Sequence, residues 1–156
     1  GADAFQLGFL KVLKGTPIAA MKERYGIVAS ERAPYEIISN MWMSAGQLVR
    51  LKTIENMLNI YYNRGGFSRA IEALTDAFGG KPFDLYESLA DFYYENGYQH
   101  KNRKKEDQYR ILRRFIIEGT DGPAAADAAT AALEEDLRSA LNPEEVKRFL
   151  KKGWEI

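Results

Sequence analysis

Cysteine is absent from this chain and histidine occurs once, at His100. Disulfides, thiolate zinc sites, cysteine-held iron–sulfur clusters and Cys/His nucleophile pairs are therefore excluded from these residues. No apolar run approaches the roughly 20 residues that a membrane-spanning helix needs, and the N-terminal stretch lacks the basic region and apolar core of a secretory signal. Net charge is missing too: 22 Lys and Arg balance 22 Asp and Glu, so no global field draws the chain toward nucleic acid or anionic lipid. These absences read as a soluble, cytoplasmic chain without a membrane partner, for which nucleic acid is not expected. Against them stand 156 residues of which 46% are hydrophobic and 28% charged, enough to bury one real core without staples or metals.

Near the start, Phe5, Leu7 and Phe9 alternate before the denser Leu10, Val12 and Leu13, the pattern of a buried strand close to a cut end. Lys14, Gly15, Thr16 and Pro17 read as a tight turn into a helix, with Thr16 as cap and Pro17 at the first helical position, running to Gly26. Tyr35 to Ile38 is a weaker strand candidate.

From Ser44 the pattern becomes helical. Ser44 with Gln47 makes a capping box, and Leu48, Leu51, Leu58, Tyr61 and Tyr62 share a face until Gly65 and Gly66. Phe67, Ala70, Ile71, Leu74 and Phe78 predict a second helix. A third starts at Pro82 with Phe83, Tyr86, Leu89, Ala90 and Tyr93 inward and ends near Gly97. A fourth carries Tyr109, Leu112, Phe115 and Ile116 and ends at Gly119. Leu133, Leu137 and Leu141 mark an alanine-rich, peripheral helix, and Asn142, Pro143, Glu144 and Glu145 start a last one that runs to Gly153, with Trp154 as a packing anchor. The fold class is mainly α: a helical bundle with one or two short N-terminal β-strands, divided into residues 1–43 and a helical domain, 44–156.

Few constellations carry chemistry. Lys101, Arg103, Lys104, Lys105, Arg110, Arg113 and Arg114 stand against Glu106 and Asp107 with Tyr98 and Tyr109 nearby, which is the pattern of a nucleic-acid footprint and equally of a solvated helix face. Asp84, Glu87, Asp91 and Glu95 line one side of the third helix. Di-metal bundle sites need inward His partners as well, so an outer face paired with the following basic helix is the favoured reading. Tyr61, Tyr62, Tyr93 and Tyr94 read as core edge and rim. Gly15 and Thr16 form the one turn at which a strand end meets a helix start, a place able to hold an anion or a substrate carbonyl.

Taken in order, FQLGFLKVLKGTPI, YGIV, PYEIISNMWMS, LVRLKTIENMLNIYYNRGGF and PFDLYESLADFYYENGY resemble the C-terminal region of cobalamin-binding radical SAM proteins of the Mg-protoporphyrin IX monomethyl ester oxidative cyclase type, over roughly residues 4 to 118. The resemblance implies a parent with a cobalamin-binding domain, a partial α/β barrel holding an iron–sulfur cluster and S-adenosylmethionine, and a helical domain after the barrel. Phe5 to Leu13 would then be the last barrel strand, with Gly15 and Thr16 at a possible cleft edge. The family's three-cysteine motif and cobalamin-ligating histidine segment have no counterpart here. No catalytic, cofactor-binding or metal residue is therefore expected on this fragment.

The leading expectation is an accessory, non-catalytic C-terminal domain that shapes the parent's substrate cleft or mediates assembly, with the rest of the parent chain as partner. A homodimer is the other expected association, formed if two copies of the apolar N-terminal segment pair in place of missing barrel neighbours. The alternative is a helical binding module engaging nucleic acid or an acidic partner through the basic fourth helix. A self-contained hydrolase or lyase using His100 with an acid of the Asp84 to Glu95 stripe ranks last.

Overall fold

The computed structural model describes residues 3–99 and 103–155. Helix makes up 60% of the described residues, about twice the usual share, so the class is mainly α with one small two-stranded antiparallel sheet. In chain order the elements are α1 (Pro17–Ala20), β1 (Val28–Ala29), β2 (Ile37–Ser39), α2 (Ala45–Leu58), a π turn (Asn59–Asn63), α3 (Ser68–Ala77), α4 (Pro82–Glu95), α5 (Lys105–Gly119), α6 (Pro123–Ala140) and α7 (Pro143–Lys152). They form two compact units, Gln6–Glu55 and the stretch from Asn56 onward with Phe5 at its margin, which change over inside α2.

In the smaller unit, β1 and β2 pair antiparallel with Val28 opposite Ser39 and Ala29 opposite Ile37, across an irregular register. The strand expected over Phe5 to Leu13 does not form. It is reduced to one antiparallel bridge, Lys11 with Glu36, flanked by Val12 N–H donating to the Tyr35 carbonyl (2.9 Å) and Ile37 N–H donating to the Leu10 carbonyl (2.9 Å). A strand is stabilised by neighbours along its length, and this segment meets one only at Leu10 to Val12. Val12, Ile27, Ile37 and Leu48 make a modest core, with Phe9, Ile18, Tyr25, Met43 and Leu51 against it.

Helix α1 is also shorter than expected, stopping at Ala20 rather than Gly26, and it buries no side chain. A four-residue helix with only Ile18 and Ala19 partly buried against the core lacks the packing that sustains longer helices. Two local devices start α2 properly. The Asn40 Oδ1 accepts from the N–H groups of Trp42 and Met43 (both 2.8 Å), and Ser44 and Gln47 exchange the two bonds of a capping box.

The larger unit is a bundle. Leaving α2, the chain passes through the π turn, whose extra residue rotates the buried face: Met57, Ile60 and Tyr61 are buried, as expected for Tyr61, whereas Leu58 is only half-buried and Tyr62 is turned out, which corrects those two positions. Gly66, at φ +86°, then reverses the chain. A Cβ there would lie 2.5 Å from the Lys105 Nζ and 3.2 Å from the Tyr109 hydroxyl, which itself donates to the Gly66 carbonyl.

On α4, Leu85, Tyr86, Leu89, Ala90, Phe92 and Tyr93 are buried. Phe83, expected inward, is exposed in the first turn, although it shares a face with the buried Tyr86 and Ala90. On α5, Tyr109, Ile111, Leu112, Phe115 and Ile116 are buried. Helix α6 is not peripheral. It packs along α3 and against α5, burying Ala129, Leu133 and Leu137 completely, with Leu141 half-buried. Fully buried alanines, Ala70 on α3 and Ala129 on α6, leave room for close helix packing. Helix α7 begins with a complete capping box between Asn142 and Glu145 and buries Phe149, onto whose ring Trp154 packs edge-on at 4.8 Å.

Candidate functional site

At Gly15 and Thr16 the expected side-chain cap does not form. Gly15 turns the chain at φ +79°, and the Thr16 hydroxyl donates back to the Leu13 carbonyl (2.7 Å) instead of capping α1. A four-residue helix also has too little aligned dipole to recruit a charge.

The carboxylate stripe borders an open polar groove: Asp84, Glu87, Asp91 and Glu95 of α4 line it with Glu118 of α5. Asp84 is 3.8 Å from Lys81, and Glu118 is held by Arg114. Among the described residues, no three His, Cys, Asp or Glu side chains come together as a metal would require. His100 lies outside the described residues, as does Lys101.

The basic segment is largely taken up by packing. Arg110 is buried, with its guanidinium 4.4 Å from the Phe149 ring centroid, Nε donating to the Gly153 carbonyl (3.1 Å) and Nη1 to Asp107 (3.2 Å). Arg103 lies over the Tyr98 ring at 4.6 Å and Arg113 over the Trp154 ring at 5.2 Å. Arg114 Nε donates to Glu118 (2.7 Å) and its Nη1 to the Tyr98 hydroxyl (2.8 Å). Guanidinium groups lying on aromatic faces serve the fold as cation–π partners as well as carrying charge. Their convergence around Tyr98 and Trp154 was not legible, because Trp154 is some 40 positions away in sequence and arrives only through α6 and α7.

The tyrosines divide sharply. Tyr62 and Tyr94 are exposed, whereas Tyr61 and Tyr93 are buried with their hydroxyls 2.6 Å apart, and the Tyr61 hydroxyl donates to the Gln108 carbonyl (3.2 Å). Burial raises the Tyr61 phenol well above its ordinary value, reinforced by Tyr93, and pushes Tyr93 up to about 12. Burial also raises Tyr86 and, with help from the Asp136 carboxylate, Tyr109. A phenol whose proton is held more tightly in the folded state contributes stability that is complete below its unfolded pKa near 10 and is lost as pH rises through the folded value. Unfolding midpoints in urea should therefore fall steeply between pH 10 and about 12. The tyrosinate absorbance should rise in two phases, the second coincident with unfolding. A single phase near pH 10 with helix intact would contradict the buried network.

In the smaller unit, Leu7, Phe9, Leu10, Met43 and Leu51 wall an apolar recess of about 220 Å³. Nine of the fifteen large apolar side chains exposed among the described residues belong to Gln6–Glu55, about a third of the chain, with Met41 at 63%, Val49 at 64% and Trp42 at 65%. No helix among the described residues is long and apolar enough to cross a membrane.

These features define a class: a helical domain with a small antiparallel ribbon and an apolar-rich N-terminal unit. Residues 23–153 match the family described as "Protein of unknown function (DUF4080)", and the chain belongs to that family. Neither a curated protein nor a solved structure matches it.

Proposed function

We propose that this chain is the accessory C-terminal domain of a cobalamin-dependent radical SAM enzyme of the oxidative cyclase-like type, non-catalytic itself, which shapes the substrate cleft or mediates assembly. The observation that carries the reading is the apolar exposure of Gln6–Glu55, since Leu10, Leu13, Val28, Ile38, Met41 and Trp42 stand in water on the segment where the sequence resemblance places the end of a barrel. Apolar exposure on that scale marks surfaces that are covered in the working protein. The ordered run of sequence words and the absence of Cys from these residues agree with it, the S-adenosylmethionine, iron–sulfur and cobalamin chemistry being assigned to the rest of the parent.

Hydrogen exchange on the chain alone and within the protein translated from its whole reading frame tests this. Backbone amides in residues 8–13, 27–29 and 36–43 should exchange at least about tenfold more slowly in the whole protein. Equal exchange there, or an upstream frame without three closely spaced cysteines, would sink the reading.

A further inference from the structure

A recess of about 500 Å³ in the larger unit is lined by Tyr98, Arg113, Arg114, Ile117, Glu118, Trp154 and Glu155. Its hydrogen-bonding balance is one-sided. Arg113 reaches no carboxylate among the described residues: its guanidinium rests on Trp154, and its Nε is shut from solvent with no acceptor. Arg114 is tied to Glu118 and to the Tyr98 hydroxyl, which accepts that bond and keeps its own proton to donate. Donors therefore outnumber acceptors around the recess, and guanidinium groups cannot relieve this by losing a proton. Glu118 and Glu155 are the acidic groups of the lining, and Glu118 is already taken by Arg114.

Beside these donors, Ile117 and Trp154 supply apolar and aromatic wall. A volume in the usual range for small-ligand sites, a few convergent polar groups and flat apolar walls together describe a small-molecule pocket better than a polymer track. We infer that this recess binds a small oxyanion, a phosphate or carboxylate carried on a flat apolar body, with Arg113 as its principal charge partner and the Tyr98 hydroxyl as a second donor. Arginine meets both anions through two parallel N–H donors, and the aromatic walls cover the body.

The test uses the intact chain carrying Trp42→Phe, which leaves Trp154 as the single indole. Phenyl phosphate should change its emission saturably with a Kd on the order of 0.1–1 mM at low salt, inorganic phosphate should bind about tenfold more weakly, and phenol should have no effect. Adding Arg113→Gln should weaken phenyl phosphate binding about tenfold, whereas Arg138→Gln, removing a cation that pairs with Glu134 on α6, should leave it unchanged. If Arg113→Gln does not fold, amide shift changes in the parent chain decide: changes confined to residues 98, 113–118 and 153–155 support the site, and changes elsewhere overturn it. No saturable response, or the same affinity with and without Arg113, also overturns it. Equal affinity for phosphate and phenyl phosphate would overturn the role of the apolar wall.

Discussion

Asp136→Ala should cost the helical unit about 3 kcal/mol, a large effect for a residue on an alanine-rich helix. Asp136 is buried on α6, where its Oδ2 accepts the Ala70 N–H (2.9 Å) and its Oδ1 accepts from Arg69 Nη1 (3.2 Å). Ala70 lies in the first turn of α3, whose own N-cap residue, Phe67, supplies no side-chain cap. The carboxylate thus caps α3 from a different helix and sits at the positive end of its dipole. Removing it leaves a buried N–H without an acceptor, about 1–3 kcal/mol, and forfeits the charge–dipole attraction, about 0.3–2 kcal/mol. Arg69 adds little, being half in solvent. Asp136→Asn keeps an oxygen acceptor and should lose only about 1 kcal/mol. Urea unfolding followed by circular dichroism, with unchanged slope, measures both. A loss below about 0.5 kcal/mol for Asp136→Ala would show that water replaces the cap.

Phe67→Ala should be at least as damaging, about 3–5 kcal/mol, and should lower the melting temperature by roughly 10 °C or more. Phe67 is fully buried, its ring edge-on to Tyr61 at 4.9 Å and tilted against Tyr109 at 4.5 Å. Truncation opens a cavity between two tyrosines whose hydroxyls are anchored, Tyr61 to Tyr93 and Gln108 and Tyr109 to Gly66, so neither ring can readily move in to fill it. Phe67→Leu retains most of the volume and should cost less than about 2 kcal/mol. Similar losses for the two variants would mean that the site collapses freely and that the tyrosine anchors do not constrain it.

Much of the bundle was legible because its signals are local. Ser44 with Gln47, Pro82, and Asn142 with Glu145 mark helix starts, and Gly65, Gly66, Gly97 and Gly153 mark reversals. The stripes of α3 and α5 held because their apolar period matches an undistorted helix. The face leaving α2 was misread because nothing in Asn59–Asn63 announces a π turn, and Phe83 because the stripe of α4 is set by the helices it meets. The N-terminal segment was misread for the opposite reason. Its alternation is that of a strand, but pairing needs a neighbour that alternation does not supply.

The sequence alone determined the mainly helical class, the places where most helices begin and end, and the exclusion of thiolate chemistry, since caps, turn glycines and composition act within a few residues or not at all. Only the tertiary structure decided that α6 is central, that Asp136 of α6 caps α3, and that Tyr98, Arg113, Arg114 and Trp154 share one recess. Each of these joins residues that are distant along the chain, so it exists only after the helices have packed and their charges have found partners in the dry interior.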